Sequence, residues 1–296
     1  MHRQTLALTE TVLGREHPDT LDSMNNLAIV LERQGKYSEA EEMHRQTLAL
    51  RETVLGREHP STLDSINALA LALDSQGKYE EAAQKQGEAL KGYTIVLGEG
   101  HPRTLGSMNN LALVLGKQGK YSEAEEMHRQ TLALRETVLG REHPSTLGSM
   151  NNLAIVLERQ GKYSEAEEMH RQTLALRETV LGREHPDTLG SINNLAESLR
   201  EQGKYVEAEE MHRQTLALRE TVLGREHPDT LASINNLAES LRQQGKYVEA
   251  EEMHRQTLAL RETVLGREHP ETVRSRNNLA KVLRNMEMRS YVDRTS

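Results

Sequence analysis

The sequence contains no cysteine, phenylalanine or tryptophan. Without cysteine there are no disulfides and no thiolate metal sites, which agrees with a reducing compartment. Only 8 Tyr and an apolar fraction of 36% remain to build a core in 296 residues. A compact single core of that size normally buries several large aromatic rings, so a thin core with much surface is expected. No apolar run approaches the roughly 18 to 20 residues of a membrane span. The start, MHRQTLALTE, carries no secretory apolar segment. Lys and Arg total 37 against 45 Asp and Glu, a formal charge of −8 that repels nucleic acid and anionic lipid on average. A cytoplasmic chain with no nucleic-acid or membrane partner is the expectation.

What the sequence has is repetition. All 7 prolines follow a histidine, from His17-Pro18 to His269-Pro270, at a constant interval of 42 residues. Gly-Lys-Tyr recurs at the same interval from Gly35 to Gly245. The string MHRQTLALRETVLGREHP occurs verbatim from Met43, Met127, Met169, Met211 and Met253. These are duplicated structural units.

Each unit reads as two helices. In the first, from about Pro18 to Gln34, the apolar residues Leu21, Met24, Leu27, Ala28 and Leu31 fall at three- and four-residue steps. Pro18 suits the first helical position, and Gly35 supplies the left-handed stop. The second runs from about Tyr37 to Leu55, with Ala40, Met43, Thr47, Leu48, Leu50 and Val54 available to face a neighbour. Gly56 ends it. A lone pair cannot bury both stripes, so pairs must stack. The expected fold is all-α: a right-handed solenoid of antiparallel helix pairs with a concave and a convex side.

One such array spans 1–296. Residues 1–14 align with a second helix alone, 18–269 hold six complete units, and 270–290 form a capping helix enriched in Arg. Beginning mid-unit, the chain reads as a piece of something longer. The second complete unit departs from the pattern, with KQGEALKGYT from Lys85 to Thr94. Gly87 and Gly92 inside its second helix should cost about 1 kcal/mol each relative to Ala, which marks it as the expected soft point.

The unit resembles the tetratricopeptide repeat, in the 42-residue form of kinesin light chains. The resemblance rests on Asn25-Asn26-Leu27-Ala28, Gly35-Lys36-Tyr37, Glu39-Ala40 and the joint from Leu55 to Pro60. The wording MHRQTLALRETVLG also resembles repeat arrays attached to fungal nucleotide-binding sensor proteins. Where light chains tend to have an aromatic in the second helix, this chain has His44 and its equivalents, so cargo specificity does not carry over.

Three candidate chemistries are set aside on the residues. The thirteen histidines offer no convergent three- or four-ligand set, so a structural or surface role is expected and no metal. Glu39, Glu41 and Glu42 beside Arg45 read as a solvated helix face. Gly-Lys-Tyr lacks the spacing of a phosphate loop. An array repeating one pattern offers no unique constellation, so neither an enzyme nor a cofactor is expected.

The tandem asparagines are the better candidate, since Asn is a poor interior helix residue yet matches a peptide backbone with both donor and acceptor. They are Asn25 and Asn26, Asn109 and Asn110, Asn151 and Asn152, Asn193 and Asn194, Asn235 and Asn236, and Asn277 and Asn278, with a lone Asn67 in the deviant unit. In the family, first-helix asparagines line the concave groove and clasp a ligand's main chain. The alternative is a hydrogen-bond ladder tying adjacent units. The resemblance also places Ile29, Leu71, Leu113, Ile155, Glu197, Glu239 and Lys281 in the groove. The position one turn earlier is Asp22, Asp64, Gly106, Gly148, Gly190 and Ala232, leaving room mid-way. A protein or extended peptide ligand is therefore expected, with apolar side chains towards one end and basic residues opposite Glu197 and Glu239. Two further readings are a recognition domain of a nucleotide-hydrolysing sensor whose catalytic part lies upstream, and self-association through an open N-terminal end.

Overall fold

The computed structural model describes residues 2–295. Among them the chain is fourteen α-helices with no strand. Helix α1 (His2–Leu13) is followed by the pairs α2 (Pro18–Arg33) and α3 (Tyr37–Leu55), α4 (Pro60–Ser75) and α5 (Tyr79–Leu97), and α6 (Pro102–Lys117) and α7 (Tyr121–Leu139). Then come α8 (Pro144–Arg159) and α9 (Tyr163–Leu181), α10 (Pro186–Glu201) and α11 (Tyr205–Leu223), α12 (Pro228–Gln243) and α13 (Tyr247–Val264), and finally α14 (Pro270–Thr295). The last helix runs to Thr295, past residue 290 where the sequence pattern suggested its end. Two compact units divide the chain, Met1–Gln160 with α1–α8 and Gly161–Ser296 with α9–α14. Within each, consecutive helices pack against one another. The fold class is that of an all-α solenoid.

The joints explain why the motif strings are so constant. His17 sits in extended backbone as the N-cap, and its Nδ1 accepts from the Asp19 amide at 3.2 Å. Pro18 follows at the position whose N–H would be unpaired in any case. At the other end, the Gly35 amide donates to Glu32 O and the Lys36 amide to Leu31 O, both at 2.9 Å. This paired closure needs a left-handed residue, and Gly35 takes φ +75°. Gly56 stops α3 differently, at φ 86° and ψ 163°, a region essentially closed to residues with a Cβ. The Thr62 hydroxyl then donates back to Gly56 O at 2.8 Å and fixes the turn.

Leu21, Met24, Leu27, Ala28 and Leu31 are all buried, as their spacing predicts. Ala40 and its equivalents Ala82, Ala124, Ala166, Ala208 and Ala250 are fully buried, where a small side chain lets helices approach closely. The second helix differs from expectation in what it buries. Val54 is exposed, while His44 and Arg51 join the expected Ala40, Thr47 and Leu48 among the buried residues. The core between pairs is thus partly polar, which is how the array manages without large aromatics.

In the deviant helix α5, Gly92 is a packing feature. A Cβ there would lie 2.3 Å from Leu63 Cδ2, so the absent side chain makes room for a buried leucine. A Cβ on Gly87 would meet nothing within 4 Å.

Candidate functional site

The asparagines join first helices of neighbouring repeats. Asn152 Nδ2 donates to Asn109 Oδ1 at 3.0 Å, Asn236 to Asn193 at 2.8 Å, and Asn278 to Asn235 at 2.8 Å. Asn110 reaches Asn67 at 3.4 Å. The second asparagine of one repeat therefore donates to the first of the repeat before. These amides are only part-buried. One rung is missing. Ala68 stands where the donor for Asn25 would be, and Asn25 Oδ1 is buried with no partner.

Beneath the ladder lie the second-helix histidines. His44 Nε2 is 3.2 Å from Glu32 Oε1. The residue equivalent to Glu32 becomes Gly116, Arg200 and Arg242 before His128, His212 and His254, and the ring nitrogens of these three have no partner. Burial pushes each of them down to about 4, so they are neutral. In the deviant repeat, Gln86 takes the histidine's place. It donates to Asn67 Oδ1 at 2.7 Å and to Ser107 Oγ at 3.1 Å.

The carboxylates require a correction. Glu41 is no solvated residue. It accepts from Lys78 Nζ at 2.6 Å, from Gln76 at 2.9 Å and from Arg45 at 2.8 Å. The Lys78 hydrogen bond leads in drawing its pKa down to about 2, against the opposing effect of burial. Glu167 repeats the contact with Lys204 and Gln202, and Glu209 with Lys246 and Gln244. The Gln and Lys flanking Gly77, Gly203 and Gly245 thus clamp the preceding repeat, whereas before Gly119 the carboxylate is replaced by Ala83. Pairs 35 and 37 residues apart carry no local signal. Only the constancy of Gln76-Gly77-Lys78 across units hinted at them.

In the unit Met1–Gln160, the expected groove positions form an apolar row. Ile29 is half-buried, and Leu71, Leu113 and Ile155 remain 41%, 38% and 37% exposed. A cleft of about 350 Å³ opens between α6 and α8, lined by Leu113, Lys117, Tyr121, Asn152, Ile155 and Arg159.

In the unit Gly161–Ser296, the same face is charged. A cleft of about 540 Å³ is lined by Glu197, Glu239, Asn235, Asn236, Asn277 and Asn278 together with Arg200, Arg274, Lys281 and Arg284. Arg200 engages Glu197 at 2.5 and 3.0 Å, and Arg242 engages Glu239 at 2.6 and 2.9 Å. Both carboxylates are therefore already paired, and four cationic side chains face two carboxylates in the cleft. The expected basic ligand opposite Glu197 and Glu239 does not fit this balance. The three-residue step from Glu197 to Arg200 holds the reason, because it places the arginine on the same helical face.

Among the described residues, no three His, Asp or Glu side chains converge as a metal site, and no helix is long and apolar enough to cross a membrane.

Two tetratricopeptide-repeat family models match along the chain, one over 86–137, 103–179, 146–221, 187–263 and 229–288, the other over 1–19, 20–61 and 62–103. The chain belongs to the tetratricopeptide-repeat family. Its repeats are of the kinesin light chain type. A Podosopora anserina structure described as kinesin light chain nearly identical TPR-like repeats is 33% identical, over 70% of this chain and 99% of that one, with a TM-score of 0.61. BtubC (BKLC) from P. vanneervenii shares the fold at 22% identity, covering 81% of this chain and 94% of its own, with a TM-score of 0.62. A tetratricopeptide repeat protein from Parabacteroides merdae does so at 15% identity over 95% and 91%, with a TM-score of 0.66. No curated protein sequence matches. Tetratricopeptide repeats generally mediate protein–protein interaction.

Proposed function

We propose that this array is a non-catalytic scaffold that binds an extended polypeptide along its first helices. The observation carrying this reading is the row of exposed leucine and isoleucine side chains at one repeat position, Leu71, Leu113 and Ile155. They border part-buried amides that can pair with a ligand backbone. The ligand's chemistry follows from the walls: apolar side chains against α4, α6 and α8, and acidic groups against the cationic cleft of α10, α12 and α14.

The test uses Leu113→Glu with Ile155→Glu. Both side chains are exposed, so the fold is expected to survive with an unchanged helical signal. Partners recovered by the intact array should be lost with this variant and kept with Val180→Glu on α9. Equal recovery by both variants would remove the reading.

A second reading, self-association, is favoured by α1, where Leu8 and Val12 are 65% and 75% exposed beside a cleft of about 390 Å³ lined by Leu6, Ala7, Leu27, Leu31 and Met43. A concentration-dependent mass that Leu8→Lys and Val12→Lys abolish would support it. A monomeric mass at all concentrations would exclude it.

A further inference from the structure

Seven joints lead from a second-type helix into the next first helix, and six of them carry the same ion pair. Arg15, Arg57, Arg141, Arg183, Arg225 and Arg267 each lie 3.1–3.9 Å from the glutamate five residues earlier. Three of these guanidiniums also reach the following second helix. Arg15 donates to Gln46 Oε1 at 3.4 Å, Arg183 to Gln214 at 3.1 Å and Arg225 to Gln256 at 3.2 Å. The joint between α5 and α6 departs from this pattern. Thr94 stands in the glutamate's place and Glu99 in the arginine's. Glu99 is exposed and makes no ion pair among the described residues. The residue equivalent to Gln46 is Gln130, and a carboxylate has no proton to give its Oε1.

An apolar cleft of about 440 Å³ opens at the same joint. The half-buried Leu90, Met108, Met127 and Leu134 line it, together with Glu99 and Gln130. Met108 marks how unusual the opening is. Its equivalents Met24, Ile66, Met150, Ile192 and Ile234 are at most 4% exposed, whereas Met108 is only half-buried. A core position is thus left open in one repeat, and an apolar group seated there would bury it as its equivalents are buried. The flexible thioether of methionine adapts readily to such a guest. None of the first-helix groove positions lines this cleft, whose walls come largely from the second helices α5 and α7.

We propose that this cleft is a second binding site, independent of the first-helix groove, for an arginine side chain of a partner polypeptide with a bulky apolar residue beside it. The guanidinium takes the place of the arginine that this joint lacks, donating to Glu99 and to Gln130 Oε1, and the apolar neighbour covers Met108. Arginine fits the pair of acceptors better than lysine, because its planar fork holds two at once. In the other joints the chain's own arginine already holds that position.

NMR of the full chain with methyl-labelled methionine tests the site, using the peptide acetyl-Leu-Arg-Leu-amide and its counterpart with citrulline, the neutral isostere of arginine. The arginine peptide should move the Met108 and Met127 methyl signals saturably. It should bind about threefold or more tightly than the citrulline peptide, the ratio of a surface ion pair. Glu99→Gln should remove that difference. Thr94→Glu with Glu99→Arg rebuilds the pair of the other joints, and should abolish the shifts while leaving the helical signal unchanged. No saturable shift, equal affinities for the two peptides, shifts confined to other methionines, or undiminished binding by the double variant would each overturn the site. Met108 shifts that follow the chain's own concentration without peptide would assign the cleft to a second copy and overturn it too. The groove reading stands or falls separately, on partner recovery by the Leu113 and Ile155 variants.

Discussion

Asn152 reaches across one repeat to donate to Asn109 Oδ1 at 3.0 Å, and the same relationship fails between Asn25 and residue 68, which is Ala. The buried Asn25 Oδ1 is an acceptor left dry by one missing amide. Unmet buried acceptors cost about 1–3 kcal/mol, and a new hydrogen bond returns about 1 kcal/mol. Asparagine in a helix interior costs roughly half a kcal/mol relative to alanine.

Ala68→Asn should therefore stabilise the array by about 1 kcal/mol. Urea unfolding, followed by helical signal, measures it. No gain would mean that the pairing lacks energetic weight.

The two interior glycines of α5 should behave oppositely. Gly87→Ala adds helix propensity in open space and should stabilise by about 0.5–1 kcal/mol. Gly92→Ala gains the same propensity but drives a Cβ into Leu63, and overpacking a full core costs about 1–3 kcal/mol. Thermal melts of the two variants should shift in opposite directions. Equal upward shifts would show that Leu63 repacks freely.

Acid should weaken the fold through its buried histidines. Those at 128, 212 and 254 sit at about 4 against an ordinary 6.5, because burial disfavours the cation. Arg135 adds to this at His128; at His212 Glu197 opposes Arg200 and Arg219; at His254 Glu239 opposes Arg242 and Arg261. The unfolded chain binds protons first, so stability is complete above pH 6.5 and falls as the pH drops towards about 4. Each histidine contributes on the order of 1–3 kcal/mol over that range. Glu41, held at about 2, adds a further loss below the ordinary carboxylate range. Replacing the three histidines by Gln, the residue native at position 86, should flatten the slope of stability between pH 6.5 and 4. An unchanged slope would place the acid sensitivity elsewhere.

Helix ends were legible because they rest on local chemistry. His17, Pro18, Gly35 and Gly56 act within a few residues of themselves, and the structure places them where their backbone preferences require. Contacts set by stacking were less legible. The clamp of Glu41 by Gln76 and Lys78, the burial of Arg51 and the fit of Gly92 around Leu63 depend on the register between helices, which periodicity alone does not fix. The asparagines fall between these cases. Their spacing suggested both a ladder and a groove. The ladder bonds join them at 43-residue separation, and Asn152 also lines the cleft with Leu113 and Ile155.

The central claim is that ligand lies along the first helices. A photo-crosslinking side chain placed at Leu113, at Ile155 and at Val180 on α9 tests it most directly, with the partners that the intact array recovers. Crosslinks should form from Leu113 and Ile155 and be lost on competition with unlabelled ligand, while Val180 stays silent. Crosslinks from Val180 alone would contradict the account.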